Sequence, residues 1–153
     1  MGIGWSLHKN DSWRGQLERT QRWHHRLIQA ASTGSSDLAD FSYAFFQNCY
    51  YVREWIEKTT PASKPALDAF FKQTPELRVC RDICNGTKHL TISNASVDSD
   101  FSICWEYDPS EPLRARLCII AGEKYDFLEL AMTCLKRLEL FVAENIDQTD
   151  YAA

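Results

Sequence analysis

Between residues 78 and 89 the sequence RVCRDICNGTKH carries Arg78, Arg81, Asp82, Asn85, Lys88 and His89, which share one arc if the segment is helical. Arg81, Asn85 and His89 recur every four residues, so they stack in a drifting row over two turns. A histidine exchanges protons near neutral pH. An arginine two turns away, with a flexible lysine beside it, attracts and clamps a phosphate. An asparagine amide orients a hydroxyl or the imidazole ring. Such a set suffices for cleavage of RNA without a metal. His89 removes the ribose 2′-OH proton, Arg81 stabilises the charged phosphorane, and Asn85 orients the reacting groups. Arg78, Asp82 and Lys88 then flank the substrate. This chemistry requires neither a metal nor another cofactor.

The same residues have structural uses. Arg78 and Asp82 stand at i and i+4 and can pair in solvent. Lys88 and His89 lie where cations complement the end of a helix dipole, an effect of about 0.3–1 kcal/mol. His89 can donate to a carbonyl and anchor the hairpin. Asn85 can bond to a neighbouring helix, and Gly86 permits a close helix contact. Other reaction classes lack their signatures: there is no acid cluster for a two-metal nuclease, no glycine-rich phosphate loop and no serine-nucleophile motif.

The elements that must position this row can be read along the chain. Ser12 caps a first helix running to about Ala31, with Trp13, Leu17, His24, Leu27 and Ile28 at helical spacing. Arg19, Arg22 and Arg26 lie on another face and can extend a basic cleft if this helix packs beside the one carrying Arg81. His24 falls on the apolar arc as a core-edge histidine, and His25 points away. STGSS breaks the chain. A second helix from about Asp37 to Lys58, capped by Ser35 or Ser36, is apolar on most sides, so it is either central or part of an interface. Its aromatic residues suit a core or a base-stacking platform. A short helix covers about Pro65 to Lys72. Thr74-Pro75-Glu76 starts the helix bearing the polar row, with a cap, a proline in first position and an acid in the first turn. LTISNAS, FSICWEY and RARLCII alternate as strands of an antiparallel hairpin or short meander, roughly residues 90–121, which Gly122 closes. A last helix runs from Tyr125 to about Asn145. The predicted fold is mainly α: an antiparallel four-helix bundle with the hairpin inserted before the last helix. Residues 1–11 read as an arm, 12–146 as one domain and 147–153 as a frayed tail.

The 153 residues suffice for one domain with a real core, and the five Trp, six Tyr and eight Phe point to an aromatic-rich core or, in part, to an interface. A net charge of −4 argues against non-specific nucleic-acid binding by the whole surface but allows a local basic patch. The N-terminal sequence lacks a signal peptide's pattern, so a cytoplasmic location with free thiols is expected for Cys49, Cys80, Cys84, Cys104, Cys118 and Cys134. Cys80 and Cys84 sit one turn apart on the apolar face, with no second pair completing a zinc set. Cys104 and Cys118 can face each other across the hairpin. No apolar run reaches membrane-spanning length. Gly2 and Ser6 fit a short acylation pattern, and the sequons at Asn10, Asn85 and Asn94 read as chance matches.

FFQNCYYVREWI, then CRDICNGTKHL, a hairpin, and a last helix opening YDFLELA resemble a group of uncharacterised bacterial proteins with an NGxKH signature. These in turn resemble the HEPN superfamily of small helical bundles. The likeness covers most of residues 36–145, and Arg81 to His89 is its distinctive part. HEPN ribonucleases carry an arginine, a polar residue and, after a short gap, a histidine, and usually pair two copies to form one cleft. The resemblance therefore implies Arg81 and Asp82 as the first two motif positions, His89 as the last, and a homodimer in a toxin or defence setting. Seven residues separate Arg81 from His89, more than is usual in that family, and the two still lie about 80° apart on a helical wheel. Two functions result as expectations. One is a metal-independent endoribonuclease. The other is a non-catalytic module whose polar row binds a nucleotide phosphate or an acidic segment of an operon-encoded protein partner.

Overall fold

The computed structural model describes residues 12–62, 64–89, 102–107, 110 and 115–146; within these, nothing is described of the side chains of Lys88, His89, Tyr107, Ala115 and Arg116. The predicted arm, the frayed tail and the LTISNAS strand lie outside the described residues. Five helices are described: α1 Trp13–Ser32, α2 Leu38–Thr59, α3 Lys64–Gln73, α4 Pro75–His89 and α5 Phe127–Asn145. The strands β1 Ser102–Tyr107, β2 Ala115–Ala121 and β3 Glu123–Asp126 form an antiparallel sheet in the order β1-β2-β3, inserted before α5. The chain is thus mainly helical with a small sheet before its last helix, as its periodicities predict.

Local chemistry sets most boundaries. Ser12 Oγ accepts the Arg14 N–H at the start of α1. At α2 the expected serine cap gives way to Asp37, whose side chain makes no cap bond, while the Asp37 N–H donates to Ser35 Oγ. Thr74 separates α3 from α4: its hydroxyl donates to Phe70 O and its carbonyl accepts from Leu77 and Arg78. Pro75 then takes the first helical position, where no N–H is needed. Gly122, at φ 75°, makes the β2–β3 turn. Four residues expected in the turn and last helix therefore form β3, and α5 starts at Phe127, one residue after its cap Asp126.

Helix α2 is central, packed by α1, α3, α4 and α5, which explains why it is apolar on most sides. Phe46 meets Phe45 and Phe127 edge-on at ring distances of 5.1 and 5.3 Å. Phe70 of α3 stacks on Phe141 of α5 at 4.5 Å, which pins the short helix to the core. Cys49, Cys80 and Cys134 are fully buried between α2, α4 and α5. Cys80 Sγ donates to Phe46 O and Cys134 Sγ to Glu76 O, each at 3.4 Å. Burial pushes both thiols well up, so they stay protonated. Cys104 and Cys118 are direct partners in the β1–β2 register, both as free thiols. Among the described residues, no helix is long and apolar enough to cross a membrane.

Candidate functional site

α4 is buried more completely than its sequence suggests. Leu77, Cys80, Ile83 and Cys84 form the predicted core face, but Val79 and Asp82 are also enclosed. The reason is that α2, α3 and α5 all pack against α4, which narrows its open face to the side of Arg78, Arg81 and Asn85. Asp82 is 0 % exposed. This corrects its expected place on a solvent-facing row beside Arg78.

What the packing leaves open is a cleft between α2, α3 and α4 of about 590 Å³. Among the described residues it is lined by Tyr50 and Arg53 from α2, Asp68, Phe71 and Lys72 from α3, and Leu77, Arg78 and Arg81 from α4. Four cations thus face one carboxylate. Arg78 and Arg81, three apart on α4, lie on the same side of that helix. Asp68 and Lys72, four apart on α3, do the same from the opposite wall. Leu77 and Phe71 are buried and supply the apolar floor.

Arg53 and Asp68 form an ion pair across the cleft. The Arg53 guanidinium also lies 5.9 Å from the centre of the Phe71 ring, within cation–π range. Burial is the largest single influence and lowers the Arg53 pKa, but the Asp68 hydrogen bond and the charges of Tyr50, Asp68 and Glu57 together outweigh it, so the net shift is upward. Arg53 is therefore a fixed positive charge. Two nearby acids of α2 have other partners: Glu54 pairs with Lys58, and Glu57 lies 3.3 Å from Lys64. Asp68 is the carboxylate among the cleft's described residues.

The row marked by its spacing divides. Arg78 and Arg81 enter the cleft together. Asp82 is buried within the packing, and Asn85 is half-buried outside the cleft's described lining. Lys88 and His89 belong to the last turn of α4, and their side chains lie outside the described residues. Thr87, on the neighbouring turn, accepts from Gln47 of α2 at 3.1 Å. Arg22 and Arg26 do not extend the cleft. α1 packs on another side of α2, where Gln16 donates to Asn48 and Trp23 meets Phe41. Arg26 instead lies over the Trp23 ring at 4.7 Å.

Spacing alone does not single out Arg53, Asp68 and Lys72, because their elements meet only in the folded chain. Two signals could have found them. Arg53 is the one arginine in the aromatic stretch FFQNCYYVREWI, and Asp68 and Lys72 share one face of a ten-residue helix. Among the described residues no group of three His, Cys, Asp or Glu side chains is arranged to hold a metal ion. The cleft is instead suited to an anion: guanidinium forks offer paired N–H donors, and partial burial strengthens each bond.

The chain matches no family model, no curated protein and no solved structure.

Proposed function

We propose that the chain binds a phosphate-bearing ligand, a nucleotide or RNA, in the α2–α3–α4 cleft. The observation that supports this best is the convergence of Arg53, Lys72, Arg78 and Arg81, from three helices, on one partly enclosed space. Guanidinium and ammonium groups drawn from separate helices can contact one phosphate from several sides. The cleft's volume falls within the range of about 300–1,000 Å³ typical of small-molecule sites. Isothermal titration of phosphate-bearing ligands tests the reading. Arg81→Ala removes a charge-assisted fork and should weaken binding by about ten- to a hundredfold in a variant whose circular dichroism matches the parent's. Equal affinity in the variant and the parent would reject the cleft as the site.

A second reading rests on the place of Arg81, the first position of the HEPN-like motif, in this cleft. On that reading α1, α2, α4 and α5 are the four antiparallel helices of a HEPN-like bundle in a bacterial toxin or defence system. A homodimer then joins two clefts for metal-independent RNA cleavage. Arg81 and His89 are eight residues apart, roughly 12 Å along the helix axis. One substrate strand, or the pairing of two copies, has to bridge that distance. RNA degradation in excess chelator should be lost in His89→Ala while the fold is kept. Degradation that survives this substitution removes the ribonuclease reading. Binding without any cleavage leaves the first reading alone.

A further inference from the structure

Asp68 holds the position in the cleft that an anionic ligand would want. Its carboxylate pairs with Arg53, and the same guanidinium sits against Phe71. The two side chains come from different helices, α2 and α3, so the pair spans the cleft instead of decorating one wall. It is also reachable by solvent: the Arg53 side chain is 28 % exposed and that of Asp68 44 %. An ion pair this open is weak enough to be exchanged for a stronger partner.

Building on the phosphate-binding reading, we infer that Asp68 is a built-in competitor that sets ligand class, so the cleft selects terminal or vicinal phosphates over the phosphodiesters of a strand interior. A diester offers Arg53 one negative charge, which matches what Asp68 already supplies without any loss of translational freedom. A phosphomonoester carries about −1.5 to −2 charges near neutral pH, and a diphosphate carries more. Such a group displaces the carboxylate at Arg53 while its remaining oxygens reach Arg78, Arg81 and Lys72. The fork geometry of three arginines suits several oxygens on adjacent phosphorus atoms. Asp68, once displaced, turns to solvent, which its exposure permits.

The test measures the affinity of the full chain for inorganic phosphate, pyrophosphate, ADP, and a short oligouridylate with either a 5′-phosphate or a 5′-hydroxyl. The parent protein should bind pyrophosphate and ADP more tightly than phosphate. The 5′-phosphorylated oligomer should bind more tightly than its 5′-hydroxyl form. Comparing ADP with the phosphorylated oligomer separates a free nucleotide from the end of a strand. Asp68→Asn keeps size and shape and removes the competing charge. It should tighten binding of the 5′-hydroxyl oligomer by about two- to fivefold, the range an exposed pair's worth allows, and narrow its gap to the 5′-phosphorylated form. Asp68→Glu should restore the parent's order. If Asp68→Asn leaves every affinity unchanged or weaker while Arg81→Ala still weakens binding by about ten- to a hundredfold, the cleft stands and the competitor role is wrong. If neither substitution alters anion binding, both readings fail together.

Discussion

At the scale of single residues, burial decides which groups are available for chemistry. Asp82 and Arg81 are sequence neighbours, yet one is enclosed and the other half-buried in the cleft. Their difference comes from three helices covering α4, which a wheel drawn from one helix cannot contain. His24 is the opposite case: its place on the apolar arc predicts a core-edge imidazole, and its ring lies half-buried, 5.6 Å from Phe45. Burial lowers its pKa, Glu139 pulls it partly back up, and His25 lowers it further, leaving it below the ordinary value. Its folded pKa is depressed, so below about pH 6.5 the unfolded chain binds more protons than the folded one. The stabilising contribution of neutral His24 is therefore complete above that pH and is lost as pH falls toward the folded pKa. Melting curves between pH 7.5 and 5 should show His24→Asn losing less stability on acidification than the parent. Parallel losses in both proteins would place the sensitive group elsewhere.

At the scale of elements, the boundaries were legible wherever a short polar residue or a proline did local work. Ser12, Thr74 with Pro75, and Gly122 each mark a start or turn that the structure keeps. Strand β3 was not legible, because Glu123–Asp126 is four residues long and runs straight into a helix with a stronger period. The stop between them is Asp126, whose carboxylate accepts from the N–H groups of Leu128 and Glu129 at 2.9 and 3.1 Å. Asp126→Ala should cost about 1 kcal/mol, a fall in melting temperature of about 2–4 °C for a chain of this length. Phosphate binding should be unchanged, since the cleft is built from α2, α3 and α4. A loss of binding in this variant would mean that α5 and the cleft are coupled more tightly than the packing implies. The cleft itself belongs to this scale. Its α4 wall was readable as a cationic spacing, while its α2 and α3 walls depend on how Phe70 and Phe71 seat the short helix.

At the scale of the whole molecule, composition set the terms. The excess of aromatics lies mainly in the core, where Phe45, Phe46 and Phe127 interlock and Tyr50 meets Phe71 edge-on. A net charge of −4 coexists with a cleft whose described lining carries four cations and one carboxylate, so the basic character is local. That contrast favours a compact anion over non-specific coating by a polyanion, and salt should weaken binding only as far as a few charge contacts require. The most direct check of the central claim is a map of backbone amide NMR shifts as pyrophosphate is added to the isotopically labelled protein. Shifts should concentrate at Tyr50, Arg53, Asp68, Lys72, Arg78 and Arg81 and saturate as a single site. Shifts that gather instead along α1 at Arg22 and Arg26, or that never saturate, would contradict the claim that the fold assembles a phosphate site between α2, α3 and α4.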